Sequence, residues 1–152
     1  MAKGDDKTRG FCLRARVSMK SNNGCMRDPV IYRRNDTPHH ATGTKYKIYP
    51  TYDFVCPIID SLEGVTHALR SNEYADRNEL YNFFLKKMQL RPVVIQDFSR
   101  LNFVKTTLSK RKLGRVVESG LVDGWRDPSM PTIGGVLRRG MTIPSLVEFM
   151  LE

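Results

Sequence analysis

The rhythm of apolar and polar positions changes along the chain. "FCLRARVSM" (11–19) alternates apolar and basic residues, the two-residue period of a strand. "SNNGCMRDP" is turn-rich, and "VIYRR" (30–34) predicts a second strand. "NDTPHHATGT" (35–44) reads as a loop, and "YKIYP" (46–50) as a short strand closed by Pro50. In "DFVCPIIDSLEG" (53–64) the spacing becomes helical, with apolar residues at 54, 55, 58, 59 and 62. Asp53 is its expected cap, Pro57 falls in the first turns and Gly64 suits the stop. "VTHALR" (65–70) reads as a short buried strand. "DRNELYNFFLKKMQL" (76–90) predicts a helix with Leu80, Phe83, Phe84 and Met88 on one face and a capping-box start at Asp76 and Glu79. "PVVIQDF" (92–98) is rich in strand formers. Helix, strand, helix, strand in that order predicts a right-handed βαβ crossover and a parallel sheet. Beyond it, "RKLGRVVESG" ends on Gly120, "TIGGVLRRG" runs from a Thr132 cap to Gly140, and "TIPSLVEFMLE" starts another helix.

Composition narrows the class. The chain has 152 residues, 40% hydrophobic and 27% charged, which fits one globular domain rather than a disordered segment. No apolar run approaches a membrane span, and the polar start "MAKGDDKTRG" has no signal-peptide character. The net charge is +9, which favours polyanionic partners. Cys12, Cys25 and Cys56 are odd in number and widely spaced, so a reducing, cytoplasmic setting is expected rather than a disulfide framework. His39 and His40 with Cys25 and Cys56 match no common zinc spacing, and no metal site is expected.

Open parallel sheets bind ligands beyond the carboxyl ends of their strands. Here one strand ends in Arg70, followed by Ser71, Asn72 and Glu73; the other leads to "SRLNF" and then to "TLSKRKL" (107–113). If the sheet is parallel, Arg70 and Lys110 lie on one edge, suited to a small anion and a polyphosphate. Each residue also has a plainer role open to it. Arg70 could snorkel at a strand end, and Lys110 could be solvated. Tyr52 and Asp53 could be a core tyrosine and a cap, His67 a core histidine, and Glu73 a helix-entry acid. From the residues alone, the reading stops at a basic α/β protein with a candidate nucleotide site.

Four stretches carry a resemblance. "CLRARVSMKSNNGCMRDPVIYR", "KIYPTYDFVCPIIDSLEGVTHALRSNEY", "SRLNF…TLSKRKL" and "GLVDGWRDPSMPTIGGVLRRGMT" together resemble the catalytic region of class I glutamyl- and glutaminyl-tRNA synthetases of the eukaryotic type. The likeness covers about 11–150, and "LSKRK" is similar to the family's second signature loop. The first signature, a His-x-Gly-His loop, has no counterpart here, nor has the anticodon-binding region. The resemblance therefore implies an internal piece of a longer enzyme. Its fold would be α/β, the second half of a Rossmann-type parallel sheet with flanking helices. Residues 1–50 would be strands ending the acceptor-stem-binding insertion, 51–112 the Rossmann half with the signature loop, and 113–152 the start of a helical stem-contact region.

The implied activity is ATP-dependent ligation of L-glutamate to tRNA(Glu) through a glutamyl-adenylate. Lys110 would be the catalytic cation at the phosphates. Ser71, Glu73, Arg100, Leu101, Thr107, Leu108, Ser109 and Arg111 would complete the ATP site, with Arg100 and Leu101 towards adenine. Tyr52, Asp53, Phe54, Val55, Cys56 and Arg70 would line the amino-acid site. ATP would arrive with Mg2+, with no tightly bound cofactor. The partners would be the tRNA(Glu) acceptor stem and the remainder of the synthetase chain, and no membrane. Glutaminyl members of the resembling family typically carry histidine where Cys56 stands and cysteine where Arg70 stands. A forked guanidinium at 70 matches a carboxylate and not an amide, which favours glutamate. The alternatives are a glutaminyl enzyme piece and a non-catalytic tRNA-binding fragment.

Overall fold

The computed structural model describes residues 10–151, which fall into two compact units divided between Arg100 and Leu101. The first unit opens with an antiparallel sheet of three short strands, β1 (Cys12–Arg14), β2 (Val30–Arg34) and β3 (Ile48–Pro50), in the order β1-β2-β3. The alternation at 11–19 predicts a longer first strand than forms. A register irregularity falls between Leu13 and Arg14, and Asp28, at φ 41°, turns its carboxylate back to accept from the Val17 amide at 2.8 Å. Beyond Ala15 the chain is thus held by a side chain instead of a neighbouring strand. A 3-10 turn at Gly24–Met26 sits within the predicted turn region.

Helix α1 (Tyr52–Leu62) starts one residue earlier than predicted. Thr51, not Asp53, is its N-cap residue, and the Thr51 hydroxyl donates to the Val30 carbonyl at 2.7 Å, pinning the helix start to β2. Asp53 stays in the first turn, where a negative charge suits the positive end of the helix dipole. At the other end Gly64 takes φ +79°, a left-handed stop that residues with a Cβ resist.

The βαβ unit then follows: β4 (His67–Ser71), a 3-10 turn (Asn72–Arg77), α2 (Asn78–Lys87) and β5 (Val94–Phe98). β4 and β5 pair in parallel, with Arg70 opposite Asp97 and Ser71 opposite Phe98. The architecture is α/β, with this parallel pair, the antiparallel strands and helices. Two expectations need correction. The strand at 65–70 is not buried throughout: Leu69 is 68% exposed, and Val94 and Phe98 are 54% exposed on its partner, because among the described residues helices cover one face only. The helix face is also different. Leu80, Tyr81, Phe84 and Leu85 are buried while Met88 is exposed.

The reason is that α2 serves two cores. Leu80 and Phe84 pack with Met26, Phe54 and Ile31. Tyr81 and Leu85 pack with Val93, just before β5, and with Ala68 and Ile95 of the parallel pair. Each such side chain contributes about 1.5–3 kcal/mol when fully buried. The capping box predicted from Asp76 and Glu79 is absent from the start of α2, where Arg77 is the N-cap residue. Instead the Asp76 carbonyl and Glu79 Oε2 each accept from Asn23 Nδ2 at 2.8 Å, tying the first 3-10 turn to this helix.

The second unit holds α3 (Lys110–Glu118), α4 (Ile133–Arg138) and α5 (Ile143–Leu151). Gly120 and Gly140, at φ +71° and +98°, follow the first two, as the sequence predicts. Thr132 caps α4, its Oγ1 accepting from the Gly135 amide at 3.0 Å. The run 110–112 is not a free loop: it forms the first turn of α3 behind Ser109.

Candidate active site

Arg70 occupies the carboxyl-terminal half of β4 on its helix-covered side and is 8% exposed. Its guanidinium carbon lies 5.6, 5.5 and 5.4 Å from the ring centroids of Tyr52, Tyr74 and Tyr81. Three ring faces satisfy part of the charge, yet Nε and Nη1 are buried with no hydrogen-bond partner among the described residues. Across the sheet, Asp97 accepts from Asn78 Nδ2 through Oδ2 at 2.7 Å and leaves Oδ1 buried and unpartnered. A buried cation with unused donors costs free energy unless an anion completes it. The geometry therefore fits a small carboxylate arriving at the tip of the strand.

Of the three tyrosines Tyr81 is buried, whereas Tyr52 and Tyr74 are 50% and 37% exposed and cover Arg70 from the solvent side. Tyr81 donates its hydroxyl to Asp60 Oδ2 at 2.8 Å, and burial first, then Asp60, raises its pKa well above the tyrosine range. Tyr52 meets Tyr74 edge to face at 5.6 Å. Burial also raises the pKa values of Tyr52 and the Cys56 thiol, while the Arg70 charge works against both shifts. Cys56 is thus a neutral, small wall one helical turn beyond Tyr52.

Not all predicted amino-acid-site residues gather here. Tyr52, Cys56 and Arg70 do. Asp53 uses Oδ2 to accept from Arg77 Nη1 at 2.5 Å, with Oδ1 buried and unpartnered. Phe54 lies in the core, 5.2 Å from Phe84 and 5.5 Å from Tyr32 by ring centroids. Val55 is half-buried on α1. The residues missed by sequence reasoning are Tyr74, Arg77, Tyr81, Asn78 and Asp97. An arginine or tyrosine recurs at 70, 74, 77 and 81, and that alternation was the available signal.

At the edge beyond the strands, Glu73 and Arg100 form an exposed ion pair at 3.5 Å, and Asn72 Nδ2 donates to Ser99 Oγ at 3.4 Å. Glu73 and Arg100 are therefore in contact, and Ser71 lies opposite Phe98 at the ends of the paired strands. Leu101, Thr107, Leu108, Ser109, Lys110 and Arg111 belong to the second unit. There Lys110, Arg111 and Lys112 are exposed in the first turn of α3, with no acidic residue in that turn. Cations are disfavoured at a helix N-terminus, where free amides already present positive charge. An anion at this turn would meet both the side-chain cations and the free amides of the helix start. The second unit also contains a largely apolar cavity of about 640 Å3, lined by Thr107 and Leu113 among others but not by Lys110 or Arg111. Among the described residues, no group of three or more His, Cys, Asp or Glu could hold a metal ion, and no helix is long and apolar enough to cross a membrane.

The family model described as tRNA synthetases class I (E and Q), catalytic domain, matches residues 1–152. The chain belongs to this family. Within it, the chain is 59% identical over 152 residues to the probable cytoplasmic glutamate–tRNA ligase of Schizosaccharomyces pombe, covering 100% of this chain and 21% of that protein. It is 55% identical to the cytoplasmic glutamate–tRNA ligase of Arabidopsis thaliana, with 100% and 21% covered. It is also 55% identical over 151 residues to the bifunctional glutamate/proline–tRNA ligase of Drosophila melanogaster, covering 99% of this chain and 9% of that one. This synthetase chain thus spans about a fifth of the monofunctional relatives.

Proposed function

We propose that the chain is part of the catalytic domain of a cytoplasmic glutamate–tRNA ligase. That enzyme would use ATP, carried with Mg2+, to form glutamyl-adenylate and pass the glutamyl group to tRNA(Glu). The observation that carries this reading is the buried Arg70 guanidinium with two unpartnered nitrogens inside three tyrosines. The names of the similar proteins support it. In this reading 1–50 ends the acceptor-binding insertion, 51–112 is the second Rossmann half and 113–152 begins the stem-contact helices.

Arg70 takes the γ-carboxylate of glutamate through charge-assisted hydrogen bonds. Such bonds are worth about 1.5–3 kcal/mol each. Glutamine would leave the buried cation partly unpaired, so discrimination reaches about 1000-fold, at about 1.4 kcal/mol per factor of ten. Ser71, Glu73, Arg100 and Leu101 contact the nucleotide. Lys110 neutralises charge on the phosphates as pyrophosphate departs, with Thr107, Leu108, Ser109 and Arg111 shaping that turn through their amides. The chain's +9 charge suits the tRNA acceptor stem, whose phosphates reward cations in a salt-dependent manner.

Pyrophosphate exchange by the complete synthetase, with glutamate or glutamine as substrate, tests the reading. Arg70→Ala is expected to reduce the preference for glutamate by about 1000-fold. Unchanged discrimination would remove Arg70 from the specificity site. A second reading, a glutaminyl enzyme, predicts wild-type exchange with glutamine.

A further inference from the structure

Tyr52 and Tyr74 both flank Arg70 but come from different segments, the start of α1 and the 3-10 turn after β4. Their edge-to-face contact alone is worth about 0.5–1.5 kcal/mol, too little to fix the spacing of two segments. Arg77 touches both sides. Its Nη1 donates to Asp53 Oδ2 at 2.5 Å, and Asp53 directly follows Tyr52. Its guanidinium carbon lies 5.0 Å from the Tyr74 ring centroid. Tyr74 therefore contacts two guanidiniums, those of Arg70 and Arg77. The Arg77 charge is neutralised by Asp53, so it adds little to the field at Arg70.

We propose that the Asp53–Arg77 pair is a positioning clamp that sets the amino-acid selectivity of the Arg70 site. It holds the Tyr52 and Tyr74 rings against the Arg70 guanidinium and keeps water from it. The inference rests on Arg70 receiving the substrate γ-carboxylate. A cation separates a carboxylate from an amide more sharply as its surroundings dry, because charge interactions strengthen at low dielectric. If the two tyrosines drift apart, water enters, and a bound amide no longer leaves a bare cation. Arg77 acts through Asp53 and Tyr74, so it is a positioning residue.

The test compares glutamate- and glutamine-dependent pyrophosphate exchange in the complete synthetase for the wild type, Arg77→Ala and Arg77→Lys. Arg77→Ala is expected to raise the glutamate KM and lower the glutamate/glutamine ratio of kcat/KM, each about 10-fold, as modest misplacement of binding groups does. The ATP KM should stay within about 2-fold, because the altered walls face the amino acid. Arg77→Lys keeps a cation for Asp53 and should recover part of the ratio. An unchanged ratio in Arg77→Ala, or a joint rise of both KM values, overturns the clamp and leaves the functional reading standing. A wild-type enzyme with no preference for glutamate overturns both. If Arg77→Ala does not fold, Asp53→Asn carries the test: a fall in the ratio supports the clamp and an unchanged ratio overturns it.

Discussion

The Arg70 corner and the 123–135 loop treat polar groups in opposite ways. In the loop, Asp127 accepts through Oδ1 from the Ser129 amide at 2.8 Å and hydroxyl at 2.6 Å, and through Oδ2 from the Asp123 amide at 3.0 Å. Thr132 donates to the Trp125 carbonyl at 2.6 Å while it caps α4. Around Arg70, by contrast, Arg70 Nε and Nη1 and one oxygen each of Asp53, Asn78 and Asp97 are buried without partners among the described residues. Each unmade buried bond costs about 1–3 kcal/mol. A segment that satisfies its own groups is architecture. A corner that leaves several unsatisfied is where an incoming ligand has polar groups to meet, which accords with the role proposed for Arg70.

The largest effect on stability should come from the loop. A Cβ on Gly135 would fall inside contact distance of the Met130 carbonyl oxygen and 2.6 Å from that of Asp127, both rigid backbone atoms. Gly135→Ala is expected to destabilise the second unit by about 3 kcal/mol, measured by urea unfolding, because neither carbonyl can yield without breaking the loop. A neutral result would mean that the loop is less tightly built than its hydrogen bonds imply.

The next effect has the opposite sign. Arg70→Met keeps an unbranched side chain among the three tyrosines and removes a buried cation with unused donors. It should raise the unfolding free energy by about 1 kcal/mol while abolishing selectivity for glutamate. A loss of stability would break the contrast, since Arg70 would then be architecture as well.

Much of this was readable in the residues because local chemistry decided it. The turn at Gly64, the Thr132 cap and the parallel pair at 67–71 and 94–98 follow from glycine, threonine and strand-forming runs. The rest depended on what packs where. A single apolar stripe suggests one buried face for α2, whereas Tyr81 and Leu85 are buried by a second core that periodicity does not reveal. Asp53 looked like a cap, yet its carboxylate is taken by Arg77, a partner 24 positions away. The basic run at 110–112 carried its resemblance to a loop, but Ser109 makes it a helix start. Arg70 was legible as a strand-end cation, and the resemblance gave it a substrate; its tyrosine surround was not legible, because strand, turn and helix must fold together before 70, 74, 77 and 81 converge.

The smallest effect sharpens the contrast by pH. Hydrogen bonds from the Ser129 hydroxyl and amide, then from the Asp123 amide, hold the Asp127 pKa below its ordinary value of 3.8. A folded-state pKa depressed in this way adds stability that is present above the unfolded value and is lost as pH falls through the folded one. Asp127→Asn retains one acceptor oxygen but turns amide hydrogens towards the Asp123 N–H. Its melting temperature should therefore lie slightly below wild type at neutral pH. The gap should begin to narrow as pH falls through the ordinary value of 3.8, and close once folded Asp127, protonated only at lower pH, loses its charge. A gap that persists at low pH would mean that shape, not the carboxylate charge, organises the loop. The stability of the loop would then rest on Met130 packing and the close approach at Gly135.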